Sequence, residues 1–395
     1  MNKNQRTIGF ILVIFLGILL GNGIGIAEEK STVRVVSAFP LTGTNAAWGT
    51  KALEGVRLGI EQINTAGGLL GKQLELEPLD TQGKPPVSVA AMKKAVTLEP
   101  YVVFGTVMSG STIVNMWTLE KAGIPQFVGS RATTITEQGN KNIFRTTLSS
   151  KRVVEKSKDW IVNVLGSRKL AIIYISDEYG ITTLDDLVEA LKGEKTEIVE
   201  KIAVEHGQVD FTGQLVKIQQ SEADVLFTIL HGEECVKVVK QATKLGLRDK
   251  MRIVGAEALV LPAYVKIMQE DAEGLSTIFC EAYDVPSMWP MAVAYKTKYG
   301  EFPGNDAIKM YLGVMVAAAG TEKIGVFDQQ KLKDYLHGRT LCASQHRWLP
   351  VDVHYDENGE LDRGSYEVTI KDGKQTVTKS LSPVHPENFA ECTSR

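Results

Sequence analysis

The chain has 395 residues, with 44 Lys and Arg set against 47 Asp and Glu and a formal charge of −3. A mildly acidic chain with no basic run is a poor nucleic-acid binder. Four cysteines, Cys235, Cys280, Cys342 and Cys392, show no CxxC spacing and argue against a structural zinc site, while the length suits two domains of ordinary size. Residues 1–27 read as a secretory targeting segment: Lys3 and Arg6 open it, the stretch 8–20 is an uninterrupted apolar core, and Gly25-Ile26-Ala27 supplies small residues before a cleavage point. An uncleaved membrane anchor is the alternative, because the apolar stretch is long for a signal peptide. Nothing beyond residue 27 approaches transmembrane length. Export implies an oxidising compartment in which a disulfide is reasonable. Cys342 and Cys392 both lie in loop-like C-terminal sequence and are the expected pair, whereas Cys280 ends the apolar strand STIFC and reads as a buried thiol.

After the targeting segment the pattern is β-α, repeated. A strand over 33–39 leads through PLTGTNAAWG into an amphipathic helix with Leu53, Val56, Ile60 and Ile63 on one face, ended by Gly67-Gly68. A strand over 73–79 precedes a helix entered through Pro85-Pro86. The short apolar run 101–105 reads as a buried parallel strand, the Ser/Gly/Thr cluster 109–112 opens a helix ending near Gly123, and 124–129 is the next strand. Residues 144–148 look like a crossing segment, and 151–166 like a helix. The series then restarts, with strands over 170–175, 198–204, 225–230, 252–254 and 275–280 and helices over 183–191, 211–220, 234–245 and 261–269. Such alternation predicts an α/β protein of two doubly wound parallel-sheet lobes with helices on both faces of each sheet. Helices over 288–299 and 307–324 are expected to return to the first lobe, and 351–355, a DENG turn and 366–370 read as strands. The expected division is 28–147 with 281–350 for the first lobe and 148–280 with 351–395 for the second. The three crossings, near 147, 280 and 350, would form a hinge.

Ligands of open α/β sheets gather beyond the carboxyl ends of the strands. The strand-end loops of the first lobe contain Trp48, Ser109 and the run Arg131, Ala132, Thr133; those of the second contain Asp177 to Tyr179, His231 and Glu257. Free N–H groups at 109–112 would favour an anion such as a carboxylate, although Ser109 as a plain helix cap reads equally simply. Glu257, in VGAEAL, is placed to hold an ammonium group by a charge-assisted hydrogen bond, the plainer reading being a solvated loop acid. Trp48 suits a pocket wall or a packed helix start, Tyr179 offers a hydroxyl or packs, and His231 alone is a weak signal. Enzyme signatures are missing: there is no GxSxG elbow around Ser109, no Walker or GxGxxG loop, and the six His show no metal spacing. No catalytic residue, metal site or cofactor is therefore expected.

The segments FPLTGTNAAWG, INTAGGLLGKQLEL, GTVMSGST, IPQFVGSRATT, FRTTLSS, LAIIYISDEYG and IVGAEAL, in this order, resemble the branched-chain amino-acid (Leu/Ile/Val) binding proteins of ABC importers, which have the type I periplasmic-binding fold. The resemblance covers nearly all of the chain after residue 27. It implies a periplasmic, monomeric, non-enzymatic receptor that closes on a small amino acid or amino-acid-like ligand and delivers it to an inner-membrane permease. It also implies that Ser109 and Thr133 take the ligand carboxylate, Glu257 the ammonium, Tyr179 the cleft hydroxyl and Trp48 the pocket wall. Two positions depart from the family: Arg131 stands where a small residue is usual, and His231 where another aromatic is. These departures leave room for a second acidic or polar group on the ligand. They also keep two alternatives open: a receptor for an aliphatic or aromatic carboxylate anchored on Arg131, and a sensory ligand-binding module.

Overall fold

The computed structural model describes residues 32–43 and 45–392; the targeting segment expected at 1–27 lies outside them. The first sheet is built from β1 (Thr32–Phe39), β2 (Gln73–Asp80), β3 (Val103–Phe104), β4 (Gln126–Val128) and β5 (Ile143–Arg145), all parallel, in the order β2-β1-β3-β4-β5. Helices α1 (Ala46–Thr65), α2 (Pro85–Thr97), α3 (Ser109–Lys121) and the single turn α4 (Thr134–Glu137) connect them. Every residue of β3, β4 and β5 is buried, as expected of strands covered on both faces. The turn after α1 requires glycine: Gly68 has φ +86°, and a Cβ there would lie 2.3 Å from the Lys72 carbonyl oxygen.

Helix α5 (Ser150–Asp159) then leads to a second, seven-stranded sheet. Its parallel part contains β6 (Lys169–Ile175), β7 (Glu197–Val204), β8 (Val225–Ile229), β9 (Arg252–Gly255) and β10 (Ser276–Phe279), alternating with α6 (Glu178–Ala190), α7 (Thr212–Gln220), α8 (Gly232–Lys244) and α9 (Pro262–Met268). Helices α10 (Trp289–Tyr299) and α11 (Asn305–Ile324) return to the first sheet, as their apolar pattern suggests. Tyr295 of α10 hydrogen-bonds Glu54, and α11 runs so close to α1 that a Cβ on Gly55 would lie 2.1 Å from the Ala307 carbonyl oxygen. Among the described residues no single helix is long and apolar enough to cross a membrane; α11 is instead buried from Ala307 to Thr321 within the core.

The C-terminal part refines the expected crossings. After α12 (Gln329–Leu336), β11 (Arg339–Leu341), β12 (Val353–Tyr355) and β13 (Leu361–Asp362) form a small antiparallel sheet. This sheet packs on β5, where Arg145 N–H donates to the Gly359 carbonyl at 3.0 Å and the buried Arg145 guanidinium pairs with Glu360 at 2.8 Å. Only then do β14 (Ser365–Lys371) and β15 (Lys374–Leu381) extend the second sheet, β14 antiparallel to β10. The third crossing therefore falls between Asp362 and Ser365, later than the 350 expected. An alternating apolar segment such as 351–355 fits either sheet, and a partner more than 200 residues away, Arg145 with Glu360, selects this one. The unanticipated β15 follows a two-residue turn, Asp372-Gly373, with both φ values positive, a standard hairpin connection. Cys342 and Cys392 are joined by a disulfide, and Cys235 and Cys280 are buried thiols.

Candidate ligand-binding site

The carboxyl ends of both parallel sheets converge on one cavity of about 670 Å³. Trp48 reaches it from the first turn of α1, Ser109 from the start of α3 and Arg131 from the loop after β4. Tyr179 comes from the start of α6, His231 from the loop after β8 and Glu257 from the loop after β9. Parallel topology explains the convergence, since every β-to-α connection in such a sheet emerges on the same edge.

The anion-facing side is organised by hydroxyls. Thr112 of α3 bonds Thr106 and Ser130, each at 2.6 Å, and ties the loop after β3 to the loop after β4. Ser109 Oγ accepts the Ala132 N–H at 3.1 Å, so its own proton is free to be donated. No side chain caps α3, and Ser111 Oγ, buried at the cavity edge, has no partner. The N-terminal turn of α3 thus presents positive dipole and unspent donors to the cavity.

The opposite wall is aromatic. The Trp48 and His231 rings lie 4.8 Å apart, and Tyr179 stacks on His231 at 5.5 Å. Trp48 Nε1 donates to the Tyr264 hydroxyl at 2.9 Å. His231 Nε2 sits 2.6 Å from Oδ2 of Asp177, whose Oδ1 caps α6. Burial disfavours the Asp177 charge, but His231 and the helix N–H groups outweigh it and keep its carboxyl below the usual range.

The floor is a buried charge cluster. Glu257 Oε1 accepts from Lys309 Nζ at 3.1 Å and from the Asn305 amide, while Oε2 faces Arg131 at 3.1 Å. Arg131 also binds Glu281 at 2.8 Å, and its Nε has no partner. Burial opposes ionisation of Glu257, yet Arg131 and Lys309 hold its carboxyl down at about 2. Glu281 is lowered too, chiefly by Arg131 acting against burial.

Six of the sequence-derived candidates, Trp48, Ser109, Arg131, Tyr179, His231 and Glu257, line the cavity. Ala132 and Thr133 do not. Ala132 is fully buried and gives its N–H to Ser109, while the Thr133 hydroxyl donates to Asp186 at 2.7 Å and accepts the Lys151 N–H at 3.2 Å. Thr133 therefore braces α6 and does not line the cavity. Sequence reasoning missed Lys309, Asn305 and Tyr264. The first two had a signal: Asn305 and Lys309 stand four residues apart, on one face of a helix whose residues 310–320 are apolar. Among the described residues no group of His, Cys, Asp and Glu has metal-binding geometry.

Two α/β sheets whose strand ends face a common, aromatic-walled cavity define a ligand-binding clamp of the type I periplasmic-binding fold. The chain belongs to the periplasmic binding protein family, whose match spans residues 32–375. It is 23% identical over 402 residues to Leu/Ile/Val-binding protein homolog 8 of Brucella abortus (strain 2308), covering 94% of this chain and 97% of that one. It is 25% identical over 389 residues to homolog 7 of Brucella suis biovar 1 (strain 1330), covering 93% and 94%. Among solved structures it is similar to the branched-chain amino-acid substrate-binding protein LivJ of Streptococcus pneumoniae in complex with isoleucine, with a TM-score of 0.78 and 23% identity over 89% of this chain and 100% of that one. A solute-binding protein of an R. palustris ABC transporter in complex with benzoate matches with a TM-score of 0.79 and 18% identity, over 89% and 97%.

Proposed function

We propose that the protein is the extracytoplasmic solute-binding component of an ABC importer, and that it captures a small carboxylate-bearing solute in the cavity between its sheets and hands it to a membrane permease. The observation that carries this reading is the start of α3. An uncapped helix N-terminus with a free Ser109 proton and an unpartnered Ser111 hydroxyl faces a cavity walled by Trp48, Tyr179 and His231. Such a site suits one anion attached to an apolar body. Two lobes joined by three chain crossings support closure around the solute by hinge motion. The protein acts in the periplasm as a monomer and releases its ligand chemically unchanged. A thermal-shift screen over amino acids and small carboxylates, followed by calorimetry on the hits, tests the reading. The expected result is a stabilising, saturable ligand that also reduces the radius of gyration in solution scattering. No binder in either class would refute it.

A further inference from the structure

The charge cluster at the floor speaks to what the ligand lacks. A carboxylate that is to receive an ammonium group must have an open acceptor position, and Glu257 is already encircled. Lys309 and Asn305 occupy Oε1, and Arg131 occupies Oε2. Lys309 is 4% exposed and Arg131 6%, so these are interior partners rather than wandering surface cations. Two cations, Arg131 and Lys309, stand among three carboxylates, Glu257, Glu281 and Asp306, the last 3.5 Å from Lys309. An ammonium group could pair with a Glu257 oxygen only by displacing Lys309, Asn305 or Arg131, and otherwise would be desolvated beside it without a partner.

Each remaining acid around the cavity has at least one partner, although Glu234 Oε2 has none. Asp177 has His231, Glu234 has His206, Glu301 has Lys51, Glu233 has Lys237, and Glu178 has Thr134. Donors, by contrast, are left over: Arg131 Nε and Ser111 Oγ have no partner, and the Ser109 proton is uncommitted. Around Glu257 the cavity therefore offers donors to an anion and no open carboxylate position to an amine.

We propose that the cleft takes a small carboxylic acid without an α-amino group, because Lys309 brings to Glu257 the ammonium that an amino acid would otherwise supply. The aromatic wall of Trp48, Tyr179 and His231 selects an aromatic or branched aliphatic body for that acid. This inference rests on the carboxylate reading above and narrows its ligand class.

Matched pairs differing only in the amino group test it by calorimetry: phenylalanine with 3-phenylpropanoate, and leucine with 4-methylpentanoate. Wild-type protein is expected to bind the deamino member of at least one pair tenfold or more tightly than its amino acid, on the order of the discrimination that an unpaired buried charge produces. Lys309→Met, which exposes Glu257, is expected to move the preference toward the amino acid by about tenfold or more. Tighter or equal binding of the amino acid by wild-type protein overturns the inference while leaving the carboxylate reading intact. Binding of neither member of any pair overturns both. The wild-type comparison decides the matter even where the variant does not fold.

Discussion

Trp48 Nε1 donates a hydrogen bond to the Tyr264 hydroxyl at 2.9 Å, joining the first turn of α1, packed on the first sheet, to α9, packed on the second. The Tyr264 ring is seated on the start of α8, where a Cβ on Gly232 would fall 1.9 Å from its Cζ. The indole also contacts His231 of the second half. One side chain thus walls the cavity and bridges the cleft, and its two roles can be separated.

Trp48→Phe keeps a ring against His231 but loses the donor, and the expected affinity loss for the best-binding carboxylate is about 1 kcal/mol, roughly fivefold. Trp48→Ala removes wall and bridge together and is expected to cost on the order of 2 kcal/mol or more. Calorimetry on both variants checks the order. Equal losses would mean that the bridge, not the ring, carries the whole effect.

Ser109 and Ser111 should differ in kind. Ser109→Ala orphans the buried Ala132 N–H, so about 1–3 kcal/mol of stability should be lost along with affinity. Ser111→Ala removes a hydroxyl with no partner in the protein, so affinity should fall while stability stays within about 0.5 kcal/mol. Urea titration read beside calorimetry separates the two. Matching stability losses would contradict the assignment.

The floor cluster sets an acid limb. Glu257 is held at about 2 against an ordinary value of 4.5, so the folded state binds the proton more weakly than the unfolded chain. A depressed carboxyl contributes stability fully present above pH 4.5 and lost as pH falls toward 2, here on the order of 3 kcal/mol. Glu257→Gln should flatten the fall in unfolding free energy across that window. Parallel profiles for variant and wild type, measured by denaturant titration from pH 7 to pH 3, would place the acid sensitivity elsewhere.

The disulfide between Cys342 and Cys392 spans 50 residues. Closing a loop of that length in the unfolded chain stabilises the native state by about 2–4 kcal/mol. Cys392→Ser should lower the melting temperature, and peptide mapping of the non-reduced wild type should recover the linked pair. Free thiols at both positions in exported protein would remove the basis of this expectation.

Much of the architecture was legible because it depends on local periodicity. Alternating apolar strands and amphipathic helices dictate two doubly wound sheets, and parallel topology alone then gathers Trp48, Ser109, Arg131, Tyr179, His231 and Glu257 at one edge. The sequence also carried the clue that Arg131 is an unusual charge beside a conventional anion site. Only the tertiary structure decided what each polar group faces. Thr133 turns to Asp186 instead of the cavity, strands over 353–362 join β5 through Arg145 and Glu360, and Glu257 is met by a lysine 52 residues downstream, from the second turn of a core helix. Such pairings are set by how α11 lies across α1 and the strand ends, where the close approach of Gly55 to the Ala307 carbonyl fixes the spacing of the two helices. Backbone pattern is a property of neighbours in sequence, and it specifies the frame. Charge partnership in a buried site is a property of neighbours in space, so it emerges only when the frame is closed.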